Sequence, residues 1–156
     1  MGMRIASELT ARLARGANDD EIPESEVLVN GTSTGKRISG AILEAAVQWE
    51  NRYLLFMTDD IPFEEILSIH LLDAQLNILD SALIGGPYSS GSFSSLELNE
   101  PNNVRFHFIG DTTWCIELLP RPEFRMPLIS EPLGVKRHFG FSRQFIVRGN
   151  PRPQPA

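Results

Sequence analysis

Several residue types are scarce in this chain, and each scarcity excludes something. There is one cysteine among 156 residues, so an internal disulfide cannot form, and a reducing compartment is favoured. No segment approaches the roughly 18 consecutive apolar residues that a membrane-spanning helix needs. The first residues also lack an apolar stretch of signal-peptide length. We therefore expect a cytoplasmic protein with no membrane partner.

Positive charge is also scarce, above all in the first hundred residues. The net charge is −6, but residues 1–100 carry six Lys and Arg against sixteen Asp and Glu, which gives −10. Residues 101–156 carry eight against four, which gives +4. An acidic surface repels nucleic acids and anionic membranes and attracts basic partners. Nucleic acid is thus an unfavourable partner, and a basic protein is the expected one.

Short apolar runs separated by turn residues are abundant. Residues 41–49 alternate between apolar and polar side chains, which is typical of a half-buried strand, although a helix over 38–51 stays open as the alternative. The run Leu54–Met57 has no polar break and predicts a strand buried on both faces. Further strands are predicted at residues 66–72, 76–84, 93–98 and 144–147. The pattern predicts a mainly β fold: an antiparallel β-sandwich or partly closed barrel of about seven to eight short strands.

Residues 104–119 carry the strongest local signal, a β-hairpin. Two alternating runs flank Gly110 and Asp111, a turn-forming pair. A loop of residues 110–112 predicts the following opposed pairs: Phe108 with Trp114, Phe106 with Ile116, Val104 with Leu118, Arg105 with Glu117, and His107 with Cys115. One face of this hairpin would then belong to the core.

The N-terminal region is predicted to be different from the rest. Ile5, Leu9 and Leu13 recur every four residues, which indicates a short amphipathic helix over residues 3–15. An acidic linker follows it. We therefore divide the chain into a helical arm with its linker (1–26), a single β domain (27–149) and a disordered tail (150–156).

The residue types that usually carry catalysis are poorly arranged. A cysteine nucleophile needs a histidine to hold it as the thiolate, and His107 beside Cys115 is the one such pair that the hairpin predicts. Mid-strand positions lack the usual activating surroundings, and we interpret this pair as structural. The three histidines show no metal-ligand spacing. We expect no metal, no cofactor and no catalytic residue.

The expected function is therefore non-enzymatic. The favoured hypothesis is a protein-interaction domain, such as an inhibitor or immunity-type partner of a basic protein, and a homo-oligomer is compatible with it. The candidate contact residues are the carboxylates of one acidic turn: Asp59, Asp60, Glu64 and Glu65. The alternative is a β-barrel that binds a small apolar ligand, gated by the loop of residues 85–92 through Tyr88, Ser89 and Ser90.

Overall fold

The computed structural model describes residues 2–16, 22–60, 65–85, 91–110, 112–126, 131–138 and 140–149. Within these ranges the chain forms thirteen β-strands and no helix. The strands are β1 (Met3–Ile5), β2 (Leu9–Arg15), β3 (Glu24–Val29), β4 (Thr32–Ser39), β5 (Ile42–Trp49), β6 (Arg52–Thr58), β7 (Leu67–Leu72), β8 (Ile78–Ile84), β9 (Ser94–Asn99), β10 (Asn103–His107), β11 (Thr113–Phe124), β12 (Val135–Lys136) and β13 (Ser142–Arg148). No helix in the described part of the chain could therefore cross a membrane.

The strands are arranged in three antiparallel sheets. A six-stranded sheet has the order β1-β5-β6-β7-β8-β12, a four-stranded sheet β13-β11-β10-β9, and a three-stranded sheet β2-β3-β4. The predicted mainly β, antiparallel fold is confirmed, as is the strand over 41–49 in place of a helix. The described strands form no closed barrel, and they number thirteen, so the predicted count of seven to eight is wrong.

The predicted N-terminal helix is also wrong. β1 pairs with β5, and β2 pairs with β3, so the backbone hydrogen bonds are made between strands. Leu9 and Ala11, two residues apart, pack into the core, whereas Ile5 and Leu13 are exposed. The four-residue spacing therefore did not mark a buried face. Residues 17–21 of the predicted acidic linker and the predicted tail lie outside the described residues, whereas residues 24–26 of that linker belong to β3.

The first hydrophobic core lies between the six-stranded and the four-stranded sheets. Phe56 of the larger sheet contacts Phe106 of the smaller one with ring centroids 5.2 Å apart, and Phe93 packs on both. Trp114 is fully buried here, and its indole Nε1 donates a hydrogen bond to the carbonyl oxygen of Ile109 at 3.0 Å. Aromatic burial of this kind supplies much of a small domain's stability.

A second core lies on the opposite face of the six-stranded sheet, against the three-stranded sheet. Successive residues of β6 alternate between the two cores, since Leu54 and Phe56 belong to the first and Leu55 and Met57 to the second. All four side chains are fully buried, which confirms the prediction for this run. The six-stranded sheet is thus the middle layer of three.

The hairpin of residues 104–119 is confirmed, but its predicted register is wrong by two residues. Phe106 pairs with Trp114 and His107 with Thr113, so the connection spans residues 108–112. Phe108 and Ile109 are buried, which lengthens the turn because both side chains pack into the core. A shift of two keeps every side chain on its predicted face, since the side-chain period of a strand is two.

The aromatic cluster of the first core yields a prediction about stability. Phe106→Ala should lower the free energy of unfolding by about 3–5 kcal/mol, because it leaves a cavity beside two other rings. Phe124 is 66% exposed, and Phe124→Ala should cost less than about 1 kcal/mol. Urea denaturation measures both values. Equal losses for the two variants would contradict the assignment of Phe106 to the core.

Candidate functional site

A groove lies where the six-stranded sheet extends past the three-stranded sheet that covers part of it. β4 is an edge strand of the three-stranded sheet, whereas β8 and β12 continue the six-stranded sheet beyond β7. The cavity between them has a volume of about 420 Å³. We call this cavity the β4–β8 groove. The residues that line it are Ile22, Ser39, His70, Ile78, Ser81, Ala82, Leu83, Lys136, Arg137 and His138.

Strand register places polar and apolar side chains together in this groove. Ser81 of β8 lies opposite His70 of β7, and Leu83 lies opposite both Ser68 and Lys136. Side chains that are opposite one another in paired strands share a face of the sheet. The side chain of Asp80, the sequence neighbour of Ser81, therefore points to the other face.

His70 forms the floor of the groove and is almost entirely buried. Its Nε2 lies 3.1 Å from the carbonyl oxygen of Ser39, and its Nδ1 lies 2.9 Å from Oγ of Ser81. A carbonyl oxygen can only accept, so in the neutral ring Nε2 carries the proton and donates to Ser39, while Nδ1 accepts a hydrogen bond from the Ser81 hydroxyl. Burial lowers the pKa of His70 below its ordinary value, which keeps the ring neutral.

A buried ion pair holds the strands behind the groove. Arg137 donates from Nη2 to Oδ2 of Asp80 at 2.7 Å and from Nε to the carbonyl oxygen of Ser81 at 2.7 Å. The backbone N–H of Gln144 donates to the same Asp80 oxygen at 2.7 Å. The guanidinium also lies 4.2 Å from the ring centroid of Phe145. These contacts join β8 to β13 and anchor the segment after β12, so the Ser81 backbone has a fixed position.

The predicted acidic contact residues that the structure describes differ in exposure. Asp60 is exposed, but Asp59 is only 4% exposed. Glu65 accepts hydrogen bonds from the backbone N–H groups of both residues, at 3.1 and 3.2 Å, which shapes the turn. Glu64 lies outside the described residues. Burial, followed by the charge of Glu65, raises the pKa of Asp59 to about 6. An acidic contact surface here stays a prediction.

The other predicted positions give no assembled site. Tyr88, Ser89 and Ser90 lie outside the described residues, so the gating loop stays a prediction. Three or more metal-ligating side chains do not come together anywhere in the described ranges.

His107 and Cys115 are not opposed as predicted. Cys115 lies opposite Arg105, and His107 is within 3.2 Å of Oγ1 of Thr113 instead. The Cys115 thiol donates to Oδ1 of Asn103, and burial raises its pKa, so it stays protonated. The two side chains therefore lack the geometry of a nucleophile and its base.

Sequence reasoning missed the pair of His70 and Ser81. A bulge interrupts the β7–β8 ladder, since Leu72 pairs with Ile78 but Leu71 pairs with Asp80. If the register of Leu72 continued without the bulge, Asp80 would lie opposite His70. The strand pattern signalled that β7 and β8 form a hairpin, but nothing in that pattern placed the bulge.

Comparisons with known proteins give no relative. The chain matches no protein-family model, no curated protein and no solved structure. The geometry of the molecule itself is therefore the basis for any function assigned to it.

The buried ion pair behind the groove yields a prediction about stability. Asp80→Ala should lower the free energy of unfolding by about 3–5 kcal/mol, because it leaves the Arg137 charge buried beside fewer acceptors. The pair of Arg148 and Glu117 is the matched control, since both side chains are partly exposed. Glu117→Ala should cost about 0–1 kcal/mol. Chemical denaturation checks both, and a small loss in Asp80→Ala would contradict the structural role of the pair.

Asp59 yields a prediction about pH. Its folded-state pKa of about 6 exceeds the unfolded value of about 4, so the folded chain holds this proton more tightly. The stabilisation is complete below about pH 4 and is lost as the pH rises through about 6. Asp59→Asn removes this titration from the folded protein. The free energy of unfolding of the variant, minus that of the parent protein, should therefore increase by up to about 3 kcal/mol as the pH rises from about 4 to above about 6.

The measurement is the free energy of unfolding of the parent, Asp59→Asn and Asp60→Asn across pH 4–7. Taking differences between proteins cancels the opposite contributions of Glu8 and Glu26, whose folded pKa values are lowered to about 2. Asp60 is exposed, so Asp60→Asn should show no such trend. A flat difference for Asp59→Asn would show that its carboxyl group is solvated in the folded protein.

Proposed function

We propose that this protein binds a small amphipathic molecule in the β4–β8 groove. The observation that carries the proposal is the convergence of exposed apolar side chains on a concave surface with a polar floor. Ile78 is 51% exposed and Ile22 is 44% exposed, and both line the groove. An apolar group that covers them would gain free energy by removing that surface from water.

The polar residues of the groove define the head of the ligand. Lys136 and His138 are exposed at its rim and offer N–H donors to an acidic or hydrogen-bonding group. The Ser81 hydroxyl donates a hydrogen bond to Nδ1 of His70, so its oxygen can still accept a hydrogen bond from a ligand. A molecule with an apolar body and an anionic head matches this distribution.

The size of the groove supports the same class of ligand. Its volume of about 420 Å³ lies within the range of about 300–1,000 Å³ that is typical of small-molecule sites. A second cavity of about 370 Å³ lies at the end of the β10–β11 hairpin. Its apolar side chains, Phe108 and Ile109, are already buried, so a ligand there would gain less.

Of the two functions predicted from the sequence, the geometry of the groove favours the binding of a small ligand over the binding of a basic protein. The proposed ligand belongs to the same broad class as the small apolar ligand predicted from the sequence. The proposed binding site is different, because it is the β4–β8 groove and not a barrel gated by the loop of residues 85–92. Binding of a basic protein through the acidic turn is favoured less, because the Asp59 carboxylate is buried. A cytoplasmic location, expected from the single cysteine, accompanies the proposal as an expectation.

An anionic fluorescent probe, 8-anilinonaphthalene-1-sulfonate, tests the proposal. The parent protein should bind it saturably with increased fluorescence, and Ile78→Glu should weaken the affinity at least about tenfold by placing a charge on the apolar wall. Ile5 is the matched control, because it is 50% exposed in a strand that does not line the groove. Ile5→Glu should leave the affinity unchanged.

Two further measurements make this test decisive. Lys136→Glu should weaken binding of the anionic probe but not that of the uncharged N-phenyl-1-naphthylamine. Near-ultraviolet circular dichroism should be the same in all variants, which excludes binding to a partly unfolded chain. Equal losses in Ile5→Glu and Ile78→Glu, or no saturable binding by the folded parent protein, would refute the proposal.

A further inference from the structure

The groove contains one arrangement that ligand binding does not require. Ser81 and His70 lie within hydrogen-bond distance on the groove floor, and the histidine is held from its other side by Ser39. A nucleophile beside a base, with the base oriented by a third group, is the recurring arrangement of nucleophilic catalysis. Here the third group is a backbone carbonyl.

We propose that Ser81 is an acyl-accepting nucleophile, that His70 is its general base, and that the substrate is an ester of an apolar acid. The substrate class rests on the proposed function, since the apolar walls of the groove would hold the acyl chain. Ser81 is a partly buried residue that lines the groove.

The tautomer of His70 is the one that such chemistry needs. Because Nε2–H donates to the Ser39 carbonyl, the lone pair of Nδ1 is directed at the Ser81 hydroxyl. A base must be unprotonated to accept a proton, and burial of the ring favours its neutral form. The charged or titratable side chains that line the groove with His70 are Lys136, Arg137 and His138, and Arg137 points away from it to Asp80.

The acyl transfer balances without any further reagent. Oγ of Ser81 attacks the ester carbonyl carbon while its proton passes to Nδ1 of His70. The bond between that carbon and the alcohol oxygen then breaks, and the departing alcohol takes the proton from His70. The products are an ester of Ser81 and a free alcohol. Attack by water, with His70 again as the base, releases the acid and restores the serine.

One feature of the strand limits the rate of this reaction. In many serine hydrolases backbone N–H groups stabilise the oxyanion, but the N–H of Ser81 donates to Oδ1 of Asp80 at 2.9 Å. That donor is therefore occupied. The expected substrates are therefore activated esters with good leaving groups, for which stabilisation of the oxyanion matters less.

Labelling with p-nitrophenyl octanoate and p-nitrophenyl acetate tests the inference. Peptide mapping by mass spectrometry should find the acyl group on Ser81, and the octanoyl ester should react faster because its chain contacts the apolar walls. Ser81→Ala should abolish the adduct. Ser142 is an exposed strand serine outside the groove, and Ser142→Ala should leave labelling unchanged.

The role of the base is tested by His70→Gln and by the pH dependence of labelling. Glutamine can still donate to the Ser39 carbonyl but cannot accept the serine proton as a base. The variant should label about 10²–10⁴ times more slowly. Labelling of the parent protein should reach a plateau above the lowered pKa of His70, whereas labelling of the variant should keep rising with pH.

The outcomes separate this inference from the proposed function. Saturable probe binding with the acyl group on Lys136, or with no adduct, would overturn the role of Ser81 and leave ligand binding intact. Ser81 labelling at equal rates by both esters, without probe binding, would support the nucleophile and overturn the ligand class. If His70→Gln labels at the parent rate with the same pH profile, His70 is not the base.

Discussion

The six-stranded sheet is buried on both faces along β6 and β7, and the arrangement of the other two sheets depends on this burial. A sheet in this position needs a cover on each side, and the four-stranded and three-stranded sheets provide them. Polar side chains on β7 are consequently removed from water, and each needs a partner inside the protein. His70 finds two, whereas Oγ of Ser68 has none in the described structure.

The groove follows from the unequal width of the layers. Three strands cannot cover six, so the larger sheet is left uncovered at β8 and β12 beyond the edge of β4. Lys36 at this edge donates to Oδ1 of Asn77 at 2.7 Å, which links β4 to the turn before β8. The ion pair of Asp80 and Arg137 holds the uncovered strands from the opposite face. A concave surface with exposed apolar residues is the result, and such a surface suits ligand binding.

Sequence patterns predicted most of the strands and several hairpins between neighbouring strands, but not the register of the 104–119 hairpin or the order of strands in the sheets. Alternation identified β5, the unbroken apolar run identified β6, and the turn at Gly110 identified the hairpin, because each signal is local. The hairpin register was wrong because Ile109 packs into the core and accepts a hydrogen bond from Trp114. The N-terminal segment is extended because β3 and β5 offer it hydrogen-bond partners, and tertiary pairing overrode its helical spacing.

The sequence by itself determined the class of the fold, since the spacing of apolar side chains decides which segments can form half-buried or fully buried strands. It also determined that the first hundred residues are strongly acidic. Only the tertiary structure decided that Ser39, His70 and Ser81 meet, since their meeting depends on a bulge between β7 and β8 and on how two sheets stack. Both arise from packing between distant segments, which no local pattern encodes. The candidate site is therefore a property of the assembled layers.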